Sequence, residues 1–350
     1  MSSKTYIGTK AFALRGSLLD SATVQKLSEA ASLDELVNRL KSTSYAEAVT
    51  KLSPPFDARH LELALRERLA TVHHTIAQSA RKYGIFELYY LKDIAWDLKV
   101  VLKARALGRP YEETVEYLSM RAEELVGRRD LIVRVMSAKD VNEAVSMLSG
   151  TMFHADMEKA LARYSSKQEV RFFDVYIDHA VLAAIAKEYS TNSKIYSSRP
   201  PNVNGVEEMV SLDLDAYNIL AVLRSKLWGL SESETQELVI SPGGRVPSSV
   251  LSSMARSDSV GEAIKLFDSA YHFELQGAQS DEDLIDLTED RFAQRSKETA
   301  TLAFVWQGLS PGTMLALVKL MEFEVSNLAA IALGVEAGIE PKRVASKLRT

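Results

Sequence analysis

Few of the 350 residues are spaced for chemistry. None of the histidines His60, His73, His74, His154, His179 and His272 forms an i, i+4 pair that would put two metal ligands on one helix face. His73 and His74 are adjacent and on a helix point about 100° apart. The densest titratable group is Asp174, Asp178 and His179. On a helix the two aspartates share a face. Acid–base work there requires a deep polar pocket that perturbs one of them; otherwise the group is a solvated helix face. There is no G-x-x-x-x-G-K-[ST] loop and no G-x-G-x-x-G after a strand. Gly243-Gly244 in ISPGGRVPSS (240–249) reads as a turn. The chain contains no cysteine, which removes thiolate catalysis, disulfides and cysteine-held metal from consideration and suits a reducing cytosol. These residues predict neither a cofactor nor a metal.

Composition narrows the classes further. Hydrophobic residues make up 46% and charged residues 25%, as in ordinary globular proteins. The net charge of −5 creates no basic field for nucleic acid. Charge is uneven, about +3 over residues 1–119 and about −8 over the rest, which fits partners of different charge. The opening MSSKTYIGTKAFALRGSLL lacks the apolar core of a signal peptide. Lys319, Glu322 and Glu324 interrupt the longest apolar stretch, leaving no run of about 18–20 apolar residues to span a bilayer.

The elements that must position these residues are legible through a repeat. LKDIAWDLKVVLKARALGRPYEE, LDAYNILAVLRSKLWGLSESE and EVSNLAAIALGVEAGIEPKR share one pattern. Asp97, Asn218 and Asn327 are each followed by an aliphatic residue (Leu98, Ile219, Leu328) and then by a glycine at Gly108, Gly229 and Gly338. A second element repeats upstream as SLDELVNRL, DVNEAVSML and SVGEAIKLF. There Ser32, Asp140 and Ser259 stand three residues before Glu35, Glu143 and Glu262, the spacing of a helix capping box. Repetition at roughly 110–120 residues predicts an all-α protein of three like units, each ordered short helix, long helix, long helix.

Helical periodicity predicts long helices over 61–84, 85–108, 172–190 and 290–308, with Leu309–Pro311 dividing the last pair. The glycines fall where a left-handed C-terminal residue is wanted. Loops are expected at 51–60, at 190–205 (which contains Pro200-Pro201) and at 240–249. The aromatic groups Phe86, Tyr89, Tyr90 and Trp96, and Phe172, Phe173 and Tyr176, read as core or helix contacts.

Taken in order over essentially the whole chain, the tripled Asp/Asn–aliphatic helix closing on glycine resembles the C subunit of archaeal-type (A-type) ATP synthases, related to the d subunit of vacuolar-type ATPases. The opening Tyr6-x-x-x-Lys10 with Leu14-Arg15-Gly16-x-Leu18-Leu19 resembles that family's first helix, and EVSNLAAIALGVEAGIEPKRVASKL its last helix and tail. The chain departs from the pattern at Asp97, where asparagine is expected, behind Trp96, and at Ala332, where the other repeats carry Leu102 and Leu223.

The resemblance implies a non-catalytic central-stalk subunit of three units, 1–119, 120–235 and 236–350, forming a funnel or socket. Its partners would be the rotor shaft and the membrane ring, at the cytoplasmic face of the membrane, with no small-molecule substrate and no nucleic acid. Asp97, Asn218 and Asn327 would be structural, bonding neighbouring backbone or side chains. The expected partner contacts are Lys10 and Arg15 on the first helix, and Lys99 and Arg105. A helical-repeat scaffold for a soluble partner, and an all-helical enzyme using Asp174 and Asp178, are the competing readings.

Overall fold

The computed structural model describes residues 3–196, 205–306 and 308–349, and every regular element among them is an α-helix. The chain opens with α1 (Ser3–Arg15), α2 (Ser21–Ser28), α3 (Leu33–Leu40) and α4 (Ala46–Thr50). A long pair follows, α5 (Ala58–Ser79) and α6 (Ile85–Ala106), then the short α7 (Tyr111–Val115). The next run is α8 (Arg121–Val126), α9 (Arg129–Ser137), α10 (Val141–Ser146) and α11 (His154–Lys167). It continues into the long pair α12 (Arg171–Tyr196) and α13 (Gly205–Leu227) and the short α14 (Glu232–Gln236). Last come α15 (Ser248–Arg256), α16 (Val260–Tyr271), the long pair α17 (Asp281–Trp306) and α18 (Pro311–Glu336), and the short α19 (Pro341–Ala345). The simple order of one short and two long helices misses the other short helices of each unit, and α11, lying between α10 and α12, accounts for the wider interval between Asp140 and Asn218.

Local chemistry sets the boundaries. Ser32, Asp140 and Ser259 cap α3, α10 and α16, each accepting from the backbone N–H of the glutamate three residues on. The glutamates reach one residue further back than a simple capping box. Glu35, Glu143 and Glu262 accept from the N–H of Ala31, Lys139 and Asp258, the residue before each cap. The extended backbone at the caps brings that N–H over the first turn.

Several expected boundaries move. α5 covers Ala58–Ser79 rather than 61–84, so it begins inside the expected 51–60 loop and ends before the turn at 80–84. Residues 190–196 are helical rather than loop, with a break at Asn192, and 197–204, including Pro200-Pro201, lie outside the described residues. Tyr196 holds the last turn down: it is buried, accepts from the Ile85 N–H at 3.1 Å and donates to Glu188 at 2.7 Å. α17 begins at Asp281 instead of 290, where Ser280 accepts from the Asp283 N–H. The 240–249 stretch has no helix before Ser248 and lies against α13. A Cβ on Gly244 would sit 2.2 Å from the Ser211 carbonyl oxygen, so no larger residue fits without displacement.

The long helices pack in succession, α5 on α6, α6 on α12, α12 on α13, α13 on α17 and α17 on α18, and α18 returns to α5. The first nine residues of α18, Pro311–Lys319, are all buried, and only Lys319 among them is charged. A helix apolar on every side belongs in the interior, and full burial of Leu315 and Leu317 is worth about 1.5–3 kcal/mol each.

The ends of α5, α12 and α17 gather at one end of the ring. Tyr83 lies 5.9 Å from Tyr196 between ring centroids, and α1 bridges onward with Lys10 donating to Ser79 at 2.8 Å and Phe12 edge-on to Phe304 at 5.2 Å. This is the hairpin end, where each long pair reverses direction.

Candidate functional site

The repeat anchors close backbone clasps at the opposite end. Asn218 accepts from the Ile240 N–H at 2.8 Å and donates to the Ile240 carbonyl at 3.1 Å. Asn327 makes the same two bonds, at the same distances, with Arg349. Asp97 has no amide to donate, and instead accepts from two successive N–H groups, Ser119 at 3.3 Å and Met120 at 3.2 Å, with Met120 left-handed at φ 52°. The first clasped residue is 22 positions downstream every time. Gly108, Gly229 and Gly338, at φ between 60° and 65°, turn the chain out of α6, α13 and α18. The N–H of the following residue, Arg109, Leu230 or Ile339, then bonds the carbonyl five back, a Schellman end. Replacing Asn218 with leucine strands the buried Ile240 N–H and carbonyl. Chemical denaturation is expected to show a loss of about 2–4 kcal/mol.

Asp97 has a second neighbour. Glu123 on α8 is fully buried, neither of its oxygens meets a donor, and it faces the Asp97 carboxyl. Burial pushes both up, Asp97 to about 6 and Glu123 to about 8, with mutual repulsion adding to Glu123. The Ser119 and Met120 N–H groups and Arg66 oppose the rise at Asp97. A proton held between the two carboxyl groups satisfies the pair. The unfolded chain releases the Glu123 proton near its ordinary value of 4.5, whereas the folded chain holds it to about 8. Stability therefore falls as pH rises across that window, by about 1.4 kcal/mol per pH unit while one proton separates the states. Melts of Glu123→Gln are expected to remove the slope above about pH 6 and to leave the part below it that the buried Asp97 carboxyl causes.

Five of the six ring helices line an open, charged hollow of about 440 Å³. Its walls include Arg66 of α5, Trp96 and Lys99 of α6, Asp178 of α12, Tyr217 of α13 and Ser326 of α18. The Arg66 guanidinium stacks 3.4 Å from the Trp96 ring centroid. Lys99 pairs with Asp178 at 2.6 Å, and one turn along Lys103 pairs with Asp174 at 3.0 Å.

A buried hub lies beside the hollow, toward the hairpin end, within the first nine residues of α6, α13 and α18. There Asp213 pairs with Lys319 and accepts from the Tyr89 hydroxyl at 2.6 Å, so each long pair contributes one helix. Lys92 stands over the Tyr89 ring at 4.7 Å and faces Glu322 at 3.9 Å. Burial pushes the Asp213 carboxyl up, but the Lys319 and Lys92 ammonium groups outweigh it and hold Asp213 below the usual carboxylate range. Burial lowers Lys319, which has a repelling lysine beside its one close carboxylate.

The four expected contact residues do not share a surface. Lys99 lines the hollow. Lys10 bonds Ser79, and Arg15 lies 4.5 Å over Phe304, both at the hairpin end. Arg105 turns inward, donating to the Ala138 and Arg109 carbonyls and to Thr114. Asp174 and Asp178 share a face, each held by a lysine, and His179 turns instead to Asp156 at 2.9 Å. His73 is buried against Asp93 at 3.0 Å. Burial lowers it, and the Asp93 carboxylate outweighs that and raises it. Among the described residues no group of three His, Asp or Glu could hold a metal ion, and no helix is long and apolar enough to cross a membrane.

Sequence reasoning missed the hub and the Arg66–Trp96 stack. The available signal was Lys319, a lone cation in the most apolar helix.

Known proteins resemble the chain over nearly its whole length. The C subunit of the A-type ATP synthase of Haloferax volcanii is 27% identical over 99% of this chain and 97% of its own. Its namesakes in Methanocaldococcus jannaschii and Pyrococcus abyssi are 22% and 24% identical, over 98% and 97% of this chain and 85% and 88% of theirs. Residues 7–347 match the sequence model of the ATP synthase (C/AC39) subunit family. That match spans nearly the whole chain and places it in the family: it belongs to the ATP synthase (C/AC39) subunits.

Proposed function

We propose that this chain is the non-catalytic central-stalk subunit of a rotary A/V-type ATP synthase, a socket passing torque between the rotor shaft and the membrane ion-translocating ring. The three repeats, 1–119, 120–235 and 236–350, are its three pseudo-equivalent units. The end of the shaft enters the hollow, and the hairpin end faces the ring at the cytoplasmic side of the membrane. The carrying observation is the hollow itself, walled by five of the six ring helices and backed by a hub to which every long pair contributes. Close-packed helices deform little under load, so torque applied to the walls reaches the far end.

The test is affinity capture of the tagged chain from its native membranes in mild detergent, with co-purifying subunits identified by mass. The shaft subunits together with the small protein of the membrane ring are expected. Recovery of the chain alone, or with unrelated soluble proteins, refutes the socket.

A further inference from the structure

The hairpin end carries apolar and basic side chains that the shaft site does not use. Leu302, Val305 and Trp306 form an i, i+3, i+4 stripe on the last turns of α17, with relative exposures of 52%, 65% and 68%. Tyr6, Ile195 and Leu309 are also exposed at this end, and Leu309 lies against Gly8 of α1. Single exposed apolar residues are ordinary, but a tryptophan within an aliphatic stripe on a helix end is a docking feature.

The surrounding charge narrows the occupant. Lys10 lies on α1, Arg81 and Lys82 in the connection after α5, and Lys187 and Lys194 on the last turns of α12. Arg15 covers Phe304. The acidic groups on the helix ends here are Glu87, Glu188, Glu207 and Glu208; Glu188 is engaged by Tyr196 and Asn192, and Glu208 by Arg245. Lysine is depleted from the cores of protein–protein interfaces, yet it dominates here. Tryptophan and aliphatic side chains flanked by lysine and arginine suit the boundary between water and an anionic bilayer, where rings insert at headgroup depth and cations meet phosphate.

We propose that the hairpin end contacts an anionic lipid surface directly, with Leu302, Val305 and Trp306 entering the headgroup layer and Arg81, Lys82 and Lys194 binding lipid phosphates. The contact rests on the proposed orientation of this end toward the membrane. It adds a lipid footing beside the ring, which would resist tilting of the socket as it turns.

Co-sedimentation of the purified full-length chain with vesicles tests it. Binding is expected to phosphatidylcholine vesicles containing phosphatidylglycerol, weakening as salt rises, and not to phosphatidylcholine alone. Val305→Ser/Trp306→Ser and Arg81→Glu/Lys82→Glu are each expected to weaken binding more than about tenfold, with unchanged melting temperatures. No binding to the anionic vesicles, equal binding to neutral ones, or binding untouched by either double substitution overturns the proposal. So does loss of ring capture by these variants with vesicle binding intact, which would make the face a protein contact. Shaft capture is read separately on the same variants and should be unaffected. Its absence in the unsubstituted chain refutes the socket instead, whatever the vesicles show.

Discussion

Replacing Lys319 with methionine is expected to destabilise the chain by about 3–5 kcal/mol in urea denaturation, a larger loss than opening the Asn218 clasp. The ammonium lies in the buried first half of α18 and pairs with Asp213, which also accepts from Tyr89. Its removal leaves Asp213 charged and largely buried, with Lys92 the nearest remaining cation. The penalty comes from the stranded carboxylate rather than the lost attraction. Lys319→Met/Asp213→Leu should therefore recover most of the loss, since apolar replacement of both partners of a buried pair is often nearly neutral. Stability within about 1 kcal/mol of the parent for the single substitution would show that the hub is not a structural junction. If the single variant is too unstable to purify, the double variant still decides: recovery supports the hub and continued unfolding contradicts it.

Truncating Trp96 to alanine is expected to weaken binding of the purified shaft subunits by about thirtyfold or more, the usual scale for a tryptophan at the centre of an interface. Trp96 is partly exposed on the hollow wall and held by the Arg66 guanidinium. This rigid aromatic shelf loses little side-chain entropy when a partner lands on it. Lys99→Glu faces Asp178 with a second carboxylate and should weaken binding in the same direction. Titration calorimetry of variant against parent reads both effects, and helical content and melting temperature separate them from misfolding. Unchanged affinity in both variants would remove the hollow as the shaft site.

The legible and illegible features differ in range. Ser32, Asp140 and Ser259 could be read as caps because a cap acts within three residues. The helix-ending glycines were equally readable, since a left-handed residue after a periodic helix is a local demand. Asp97, Asn218 and Asn327 stood out as positions, but the 22-residue clasps did not, because the short helices α7, α14 and α19 determine which backbone returns. The hub lay further out of reach. Tyr89 and Asp213 are 124 residues apart, and Asp213 and Lys319 are 106. No periodicity within a helix reports which pairs will face each other across the ring. The extension of α12 to Tyr196 was hidden for a similar reason: its Ser- and Asn-rich sequence favours a turn, and a tertiary bond to Ile85 overrides that preference.

Because the chain has no native cysteine, the socket can be tested by one cross-link. Ser326 is exposed within the hollow on α18, whereas Ser165 is exposed on α11 and does not line it. Ser326→Cys and Ser165→Cys, each carrying a short photoactivatable group, would be assembled into the complete membrane complex and irradiated. With the shaft seated in the hollow, Ser326→Cys joins the chain to a protein of the rotor shaft and Ser165→Cys does not. Cross-linking of Ser326→Cys only to some other component, or to none while the complex remains intact, would contradict the socket.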